Sequence, residues 1–182
     1  VEAILEAAAR ILVSRGREAV TTNSVALVAG ASIGSLYQYF PNREAILAAV
    51  ASEHARRLYD CVADVDIDEA DTLAEAVTLI VAGLFAAHAI NPALHVALEG
   101  DLRRDHAYHA GTRPAFVALI LALPQTMLDE IKVAPPERAA PVVAEIAHGL
   151  AHVAIGDPEM PTRDGIEIEA VRAVLAYLQY EL

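Results

Sequence analysis

Apolar residues recur at intervals of three and four along almost the whole chain, which is the pattern of amphipathic helices. The first such stripe runs from Ile4 to Leu12 and is followed by Gly16, a residue type that commonly ends helices. β-Branched clusters with a period of two do not occur in the sequence. The pattern therefore predicts an all-α protein with about nine helices.

Capping residues set the expected boundaries of the helices in the first third of the chain. Thr22 is expected to cap a short second helix that ends near residues 29–30. Ser32 is expected to cap a third helix over residues 33–40, and Asn42 a fourth over 43–61.

Capping motifs and prolines predict five further helices. Residues 72–75 form a capping box at the start of a fifth helix over 73–89, and Asn91-Pro92 begins a sixth. A seventh helix over 114–131 is expected to be kinked at Pro124. An eighth helix follows Pro135-Pro136 and reaches residue 155. Asp164 is expected to cap a ninth, whose apolar stripe reaches Leu182.

Charge is distributed unevenly along the chain. The net charge is −12, which taken alone argues against a nucleic-acid partner. Residues 1–60, however, hold six Arg and six acidic residues, so this part can still approach a phosphate backbone. An acidic run over 64–71 separates the two parts; we interpret it as a solvated loop, because it lacks the glycine and glutamate spacing of a calcium-binding loop.

Compartment and membrane contact follow from three sequence features. Cys61 is the single cysteine, which excludes an internal disulfide and a cysteine-rich zinc site. No apolar run is long enough to cross a bilayer, and no signal-peptide pattern follows Val1. These features predict a cytoplasmic protein with no membrane contact.

Residues 21–47 have the pattern of a helix-turn-helix, with two short helices joined by a tight turn at residues 30–32. On the second of these helices, Leu36 is expected to point inward. Tyr37, Gln38 and Tyr39 are adjacent and cannot all face one core. Glutamine can bond base edges, and hydroxyl groups can bond phosphates, so this surface is a candidate for DNA contact.

Several short motifs lie between residues 4 and 60. Their combination identifies a protein family more specifically than any one motif does. It consists of Ile4-Leu5-Glu6-Ala7-Ala8, Gly16, Thr21-Thr22, Val25-Ala26, Ala29-Gly30, the segment Ser32–Phe40, and the segment Asn42–Leu47. Together these motifs resemble the DNA-binding domain of the TetR family of bacterial transcriptional regulators. The resemblance implies a helix-turn-helix domain over residues 1–47, a connecting helix over 43–61, and an effector-binding and dimerisation domain over 48–182.

The resemblance also implies which residues contact DNA. Thr22 and Tyr37 would meet phosphate, and Arg43 would bond phosphate from the start of the fourth helix, where the family usually has Lys. Gln38 and Tyr39 lie where base or backbone contacts are commonly made. The full expected set is Thr22, Asn23, Ser32, Ile33, Gly34, Ser35, Tyr37, Gln38, Tyr39 and Arg43.

The second part of the chain is expected to form a homodimer. Apolar and small residues occupy nearly every side of the eighth helix, more than one packed face uses, and the ninth helix adds its own stripe. Two such helices from each subunit would build a four-helix interface. The expected interface residues are Val143, Ile146, Leu150, Val153, Val171, Val174, Leu175 and Leu178.

An effector pocket is expected between the fifth, sixth, seventh and eighth helices. Its mostly apolar lining predicts a small, largely apolar ligand held by a few polar anchors. The expected lining residues are Phe85, His88, His95, Leu98, Phe116, Leu119, Met127 and His148.

The seven histidines include two pairs with helical spacing. His148 and His152 are four residues apart, and His106 and His109 are three apart, so either pair could contribute to a metal site. No glutamate lies between His148 and His152, so the zinc-protease pattern is missing. We interpret these histidines as interface or pocket groups, and no metal site, cofactor or catalytic residue is predicted.

The sequence thus predicts a repressor that binds an inverted-repeat operator in double-stranded DNA and is released by a small effector. Two alternatives stay open, a DNA-binding regulator that takes no small ligand and a helical metal-dependent enzyme. No nucleophile motif, glycine-rich phosphate loop or cofactor signature supports the enzyme.

Overall fold

The computed structural model describes the backbone of residues 1–102, 106–156 and 163–181, and the side chains of residues 1–98, 114–155 and 165–181. Within these ranges the regular structure is helical, as the periodicity predicts. The helices are α1 (Glu2–Arg15), α2 (Thr22–Ala29), α3 (Ile33–Tyr39), α4 (Arg43–Ala63), α5 (Leu73–His88), α6 (Pro92–Leu102), α7 (His106–Leu121), α8 (Gln125–Leu128), α9 (Pro136–Gly156) and α10 (Arg163–Leu178), with a short 3₁₀ helix at Arg17–Ala19.

The chain divides into two compact units. The N-terminal unit comprises Val1–Arg56 and Ala93–Tyr108, and the C-terminal unit comprises Arg57–Pro92 and His109–Leu182. The N-terminal unit therefore extends beyond the predicted helix-turn-helix domain over 1–47. It includes most of α4 and the segment that contains α6, because the contacts of these residues lie there.

The core of the N-terminal unit is formed by the apolar faces of its short helices. α1 packs against α2, and α2 packs against α3. Gly16 ends α1 with a φ of 78°, a left-handed conformation that glycine adopts without steric cost. The buried side chains include those of Ile4, Ala7, Ala8, Ile11, Leu12, Val20, Val25, Ala26, Leu36, Phe40, Ile46, Leu47 and Val50.

The cap of α2 differs from the prediction. Thr21, not Thr22, is the N-cap: its Oγ1 accepts a hydrogen bond from the Ser24 backbone N–H at 3.1 Å. Ser24 Oγ in turn accepts one from the Thr21 N–H at 2.9 Å, which completes a capping box. Thr22 is already helical, so the prediction of Thr22 as the cap was wrong by one residue.

The caps of α3 and α4 confirm the predictions. Ser32 Oγ accepts a hydrogen bond from the Ser35 N–H at 3.0 Å, and Asn42 Oδ1 accepts one from the Ala45 N–H at 2.8 Å. Gly30, with a φ of 65°, ends α2 in the left-handed conformation and produces the tight turn before α3.

The C-terminal unit is built around α5, α9 and α10, which pack against one another. α5 begins with the predicted capping box, in which Thr72 Oγ1 accepts a hydrogen bond from the Glu75 N–H at 3.2 Å. The largely or fully buried side chains of the three helices include Leu73, Val77, Ile80, Val81, Leu84, Phe85, Ala139, Ala140, Val143, Ala147, Ala151, Ile166, Ala170, Val174 and Leu178.

The predicted boundaries of the seventh and ninth helices were wrong. α7 begins at His106 and not at residue 114. Pro124 does not kink a single seventh helix: α7 ends at Leu121 and a separate α8 begins at Gln125, because Pro124 is extended. This raises the number of helices from the predicted nine to ten within the described ranges. Asp164 is not the cap of the last helix, because α10 already includes Arg163.

The last helix also ends earlier than its apolar stripe suggests. Its final carbonyl, that of Leu178, accepts hydrogen bonds from the backbone N–H groups of Lys132 at 2.8 Å and Val133 at 3.3 Å. These bonds satisfy a carbonyl that the helix leaves unpaired, so the segment after α8 closes the end of α10. Leu182 lies outside the described residues.

The described helices differ from membrane spans in length or in apolar character. None of them alone combines the length and apolar character of a membrane span. The consecutive segments Leu73–His88 and Pro92–Leu98 reach these values only when they are taken together, and most residues of α5 are buried inside the unit.

Candidate nucleic-acid interface

α3 presents nearly all of its surface to solvent. Leu36 is fully buried and anchors the helix, and every other residue of α3 is exposed. Ile33 is 41% exposed, Tyr37 54% and Tyr39 58%, although all three are large and largely apolar. The helix carries no charged residue. An exposed, uncharged helix with hydroxyl and amide groups can contact DNA through hydrogen bonds and close packing.

The start of α2 and the middle of α3 meet at two hydroxyl groups. Thr22 Oγ1 and Tyr37 Oη lie 3.3 Å apart, and Tyr37 is exposed. The pair brings together two residues predicted to contact phosphate, although 15 positions separate them in sequence. Two adjacent hydroxyls can donate hydrogen bonds to the oxygens of one phosphate group.

The first turn of α3 is ordered by its own serines. Ser32 Oγ and Ser35 Oγ lie 2.8 Å apart, in addition to the cap formed by Ser32. At Gly34, an added Cβ would meet only Ser32 Oγ at 3.9 Å, so the protein itself leaves space there. Because glycine has no side chain, the surface of α3 is recessed at Gly34, and the backbone of a partner can approach closely there.

Arg43 has acidic partners that the sequence analysis did not find. Its Nη1 and Nη2 donate hydrogen bonds to the two carboxylate oxygens of Glu18 at 3.0 and 3.3 Å, and its Nε donates one to Glu44 at 3.2 Å. The hydrogen bond and the charge of Arg43 lower the pKa of Glu18. Because that pKa is lowered, the pair persists at neutral pH and is lost only as the pH falls through the lowered value.

The ion pair gives a prediction about DNA affinity. The Glu18 side chain is 87% exposed and pairs with the guanidinium that is predicted to bond a phosphate. We expect Glu18→Gln to strengthen binding to all DNA sequences and to steepen the slope of log K against log salt by about 0.9, as one added phosphate contact would. Titrations of labelled duplexes at several salt concentrations measure both quantities.

Glu6→Gln is the matched control, because it removes the same charge from an exposed position of α1. If Glu6→Gln raised the DNA affinity and the salt slope by the same amounts as Glu18→Gln, the effect would come from net charge alone.

Asn23 and Leu27 form an exposed pair on one face of α2, one turn apart. Asn23 belongs to the predicted contact set. Leu27 does not, but it is 83% exposed. Leu27 was not predicted, because an apolar residue in an amphipathic pattern is normally assigned to the core. The available signal was its position on the helix, since Val25 and Ala26 occupy the buried face and Leu27 lies outside it.

Family comparison decides the class of protein. The family described as "Bacterial regulatory proteins, tetR family" matches residues 4–50, and the family described as "Tetracyclin repressor-like, C-terminal domain" matches residues 72–178. The chain belongs to the TetR family. It is a DNA-binding transcriptional regulator, and the segment 21–47 is its helix-turn-helix. No curated protein matches the sequence.

Solved structures share the fold of this TetR-family regulator at low sequence identity. A regulatory protein of the tetR family from Rhodococcus RHA1 is 18% identical, with a TM-score of 0.72 and coverage of 97% of this chain and 95% of that chain. The fatty acid degradation regulator FadR from Bacillus halodurans is 16% identical, with a TM-score of 0.71 and coverage of 99% and 96%. SmeT, the repressor of the Stenotrophomonas maltophilia multidrug efflux pump SmeDEF, is 21% identical, with a TM-score of 0.69 and coverage of 96% and 88%.

The residues expected to line the effector pocket of this TetR-family regulator fall into both units. Phe85, His88, Phe116, Leu119, Met127 and His148 belong to the C-terminal unit, where Leu119 and His148 are half-buried and the others buried. His95 and Leu98 are buried in the N-terminal unit. There His95 Nδ1 lies 3.0 Å from Nε2 of His54, a buried partner that the sequence analysis did not identify.

The residues expected at the dimer interface divide by their burial within the single chain. Val143, Val174 and Leu178 are fully buried, so they have no surface left for a partner subunit. The five that remain half-buried are Ile146, Leu150, Val153, Val171 and Leu175.

Proposed function

We propose that this regulator is a repressor that binds an inverted-repeat operator as a homodimer and leaves it when a small, largely apolar effector binds. The DNA-binding part of this proposal rests on one observation. The surface of α3 is exposed and uncharged, and the paired hydroxyls of Thr22 and Tyr37 lie beside it. Operator binding of this kind takes place in the cytoplasm.

The contacts on this surface have different roles in the proposal. Tyr37 and Thr22 contact phosphate and fix the position of the helix, and Arg43 adds a charged phosphate contact. Gln38 reads a base edge, because its amide group can pair with an adenine in the major groove. Asn23, Ser32, Ile33, Gly34, Ser35 and Tyr39 complete the surface.

Two substitutions on α3 separate positioning from sequence readout. Tyr37→Phe is expected to weaken binding to all sequences alike, because a phosphate contact carries no sequence information.

Gln38→Ala is expected to relax the preference at one base-pair position by about 1–3 kcal/mol. Selection of bound sequences from random double-stranded DNA measures both profiles. An unchanged profile for Gln38→Ala would remove this residue from the base-reading set.

An exposed apolar stripe on α9 supports the homodimer. Val142 is 41% exposed, and Ile146, Leu150 and Val153 follow at helical spacing with partial exposure. Gly149 lies on the same face, and an added Cβ there would meet nothing within 4 Å. A face of this composition allows a second helix to approach closely.

α10 carries a similar stripe. Ile168 is 53% exposed, and Val171 and Leu175 follow it at spacings of three and four residues. The stripes of α9 and α10 from two subunits would form the four-helix interface. A dimer also supplies the two recognition helices that an inverted repeat requires, about one DNA turn apart.

The effector proposal rests on the buried apolar residues of the C-terminal unit. Phe85, Phe116 and Met127 are buried there, and half-buried Leu119 lies on α7, the helix that also carries Phe116. FadR, a regulator of fatty acid degradation, and SmeT, the repressor of a multidrug efflux pump, share the fold. A fatty acid or a similar amphiphile is therefore the first ligand class to test.

One experiment tests the repressor and its effector in sequence. Selection from random DNA is expected to enrich an inverted repeat. The complex with that repeat is then titrated with fatty acids of increasing chain length, and dissociation of the DNA at a particular length supports an apolar effector. If a repeat is enriched but its complex with the protein does not respond to the fatty acids, a regulator that takes no small ligand is favoured. If no DNA sequence is enriched at low salt, operator binding itself is contradicted.

A further inference from the structure

Three histidines of the C-terminal unit form one cluster. His88 lies in the last turn of α5, and His148 and His152 lie one turn apart on α9, which packs against α5. The ring centroids are 5.1 Å apart for His88 and His148, 5.2 Å for His88 and His152, and 4.4 Å for His148 and His152. Each imidazole therefore touches the other two.

The ring nitrogens of His148 and His152 have a spacing suited to one ion. His148 Nε2 and His152 Nε2 lie 3.2 Å apart. Two nitrogens bound to one tetrahedral zinc ion at about 2.0–2.1 Å would lie about 3.3–3.4 Å apart. A ring nitrogen of His88 lies within 4.8 Å of one of His152, and the torsion that rotates a histidine ring is broad. Rotation of the His88 ring can therefore bring its nitrogen toward His152, beside which His148 lies.

The tautomer of His88 also suits a ligand. Its Nδ1 lies 2.8 Å from the backbone carbonyl oxygen of Leu84. A carbonyl only accepts, so Nδ1 carries the hydrogen, and in the neutral ring Nε2 carries the lone pair. Metal-binding histidines commonly donate their second N–H to a backbone carbonyl in this way, which fixes the ring and strengthens the ligand.

The position of His88 is costly for packing alone. The side chain is fully buried on a helix whose other buried residues are apolar, including Leu84 and Phe85. Burying a polar ring at this position costs free energy that a leucine would not cost. Coordination to an ion would offset that cost.

We propose that His88, His148 and His152 bind a divalent transition-metal ion, with zinc as the reference ion. All three donors are imidazole nitrogens, which suit Zn²⁺, Co²⁺, Ni²⁺ or Cu²⁺, whereas Ca²⁺ and Mg²⁺ prefer oxygen. Three protein ligands leave a coordination position for water or another small ligand. The inference goes beyond the proposed function, because it requires neither DNA nor an apolar effector.

The sequence alone does not reveal this site. It had the His148–His152 pair, but the third ligand lies 60 positions earlier, and only the packing of α5 against α9 brings it to the pair.

Metal titration of the full-length, tag-free chain tests the site. After dialysis against a chelator, ZnCl2 is added in a calorimeter and CoCl2 in a spectrophotometer. We expect one ion per chain and visible d–d absorption typical of nitrogen ligation. The absence of saturable Zn²⁺ binding at micromolar concentrations would overturn the proposal and leave a hydrogen-bonded cluster of aromatic rings.

Two variants locate the ion. His152→Gln is expected to lower zinc affinity by more than about 100-fold, because even groups outside the coordination sphere contribute about 10- to 100-fold. His152 is half-buried, so the variant is expected to fold, which circular dichroism checks. The control His106→Gln removes the first histidine of α7, a member of the other histidine pair with helical spacing, and is expected to retain zinc binding. An equal loss in both variants would contradict the assignment.

A measurement on the unaltered chain observes the ligand nitrogens directly. With ¹⁵N-labelled histidine, Zn²⁺ is expected to shift the ring-nitrogen resonances of His88, His148 and His152, each identified by the signal that is missing from the corresponding His→Gln variant. Shifts confined to other histidines would overturn the site.

Discussion

Replacing Leu36 with alanine is expected to unfold the helix-turn-helix locally and to abolish operator binding. Leu36 is fully buried and is the one residue of α3 that enters the core of the N-terminal unit. Deleting the side chain of a buried leucine costs about 2–5 kcal/mol. α3 has seven residues, too few to be stable by itself, so it depends on this anchor. We expect hydrogen exchange in α2 and α3 to accelerate by the corresponding factor.

Tyr39→Ala is the control on the same helix. Tyr39 is 58% exposed, so its truncation leaves the core intact and is expected to change DNA affinity without changing exchange rates. Exchange is preferable to a single unfolding curve, because a protein with two compact units need not unfold in one step. Wild-type exchange rates in α3 of Leu36→Ala would contradict the anchoring role.

Replacing Leu150 with glutamate is expected to split the proposed homodimer. Leu150 is half-buried in the centre of the α9 stripe, and a two-fold axis brings both copies of the stripe into one interface. The substitution would bury two unpaired carboxylates, which costs several kcal/mol. Operator affinity is expected to fall by at least about 100-fold, or about 2.8 kcal/mol, since each monomer can hold only one half-site.

Analytical ultracentrifugation measures the dimer, and Leu121→Glu is the matched control. Leu121 is 39% exposed at the end of α7, outside the stripe, so the same change there is expected to leave the dimer intact. A stable dimer of Leu150→Glu would place the interface on another surface.

The parts of the fold that depend on local chemistry could be predicted from the sequence. The end of α1 at Gly16, the capping box of α5 and the caps Ser32 and Asn42 each involve residues a few positions apart. Even here neighbouring candidates compete. Thr21 and Thr22 are both good caps, and Thr21 prevails because Ser24 lies three residues after it.

The parts that depend on distant contacts could not be predicted. The Arg43–Glu18 pair and the third histidine of the cluster join residues that local spacing does not relate. Helical periodicity likewise marks apolar faces without saying which face is covered by the same chain. Val143 and Val174 are buried within the protomer, whereas Val142 and Ile168, one position before Val143 and six before Val174, are exposed.

The absence of charge on α3 has a consequence for how the protein searches a genome. Attraction to bulk DNA comes from cationic side chains that displace counterions. α3 has none, and the chain carries a net charge of −12. We therefore expect weaker binding to random chromosomal sequence than a basic recognition helix would give, so that competing sites retain fewer copies of this protein. A small number of molecules per cell therefore suffices to keep its operators occupied.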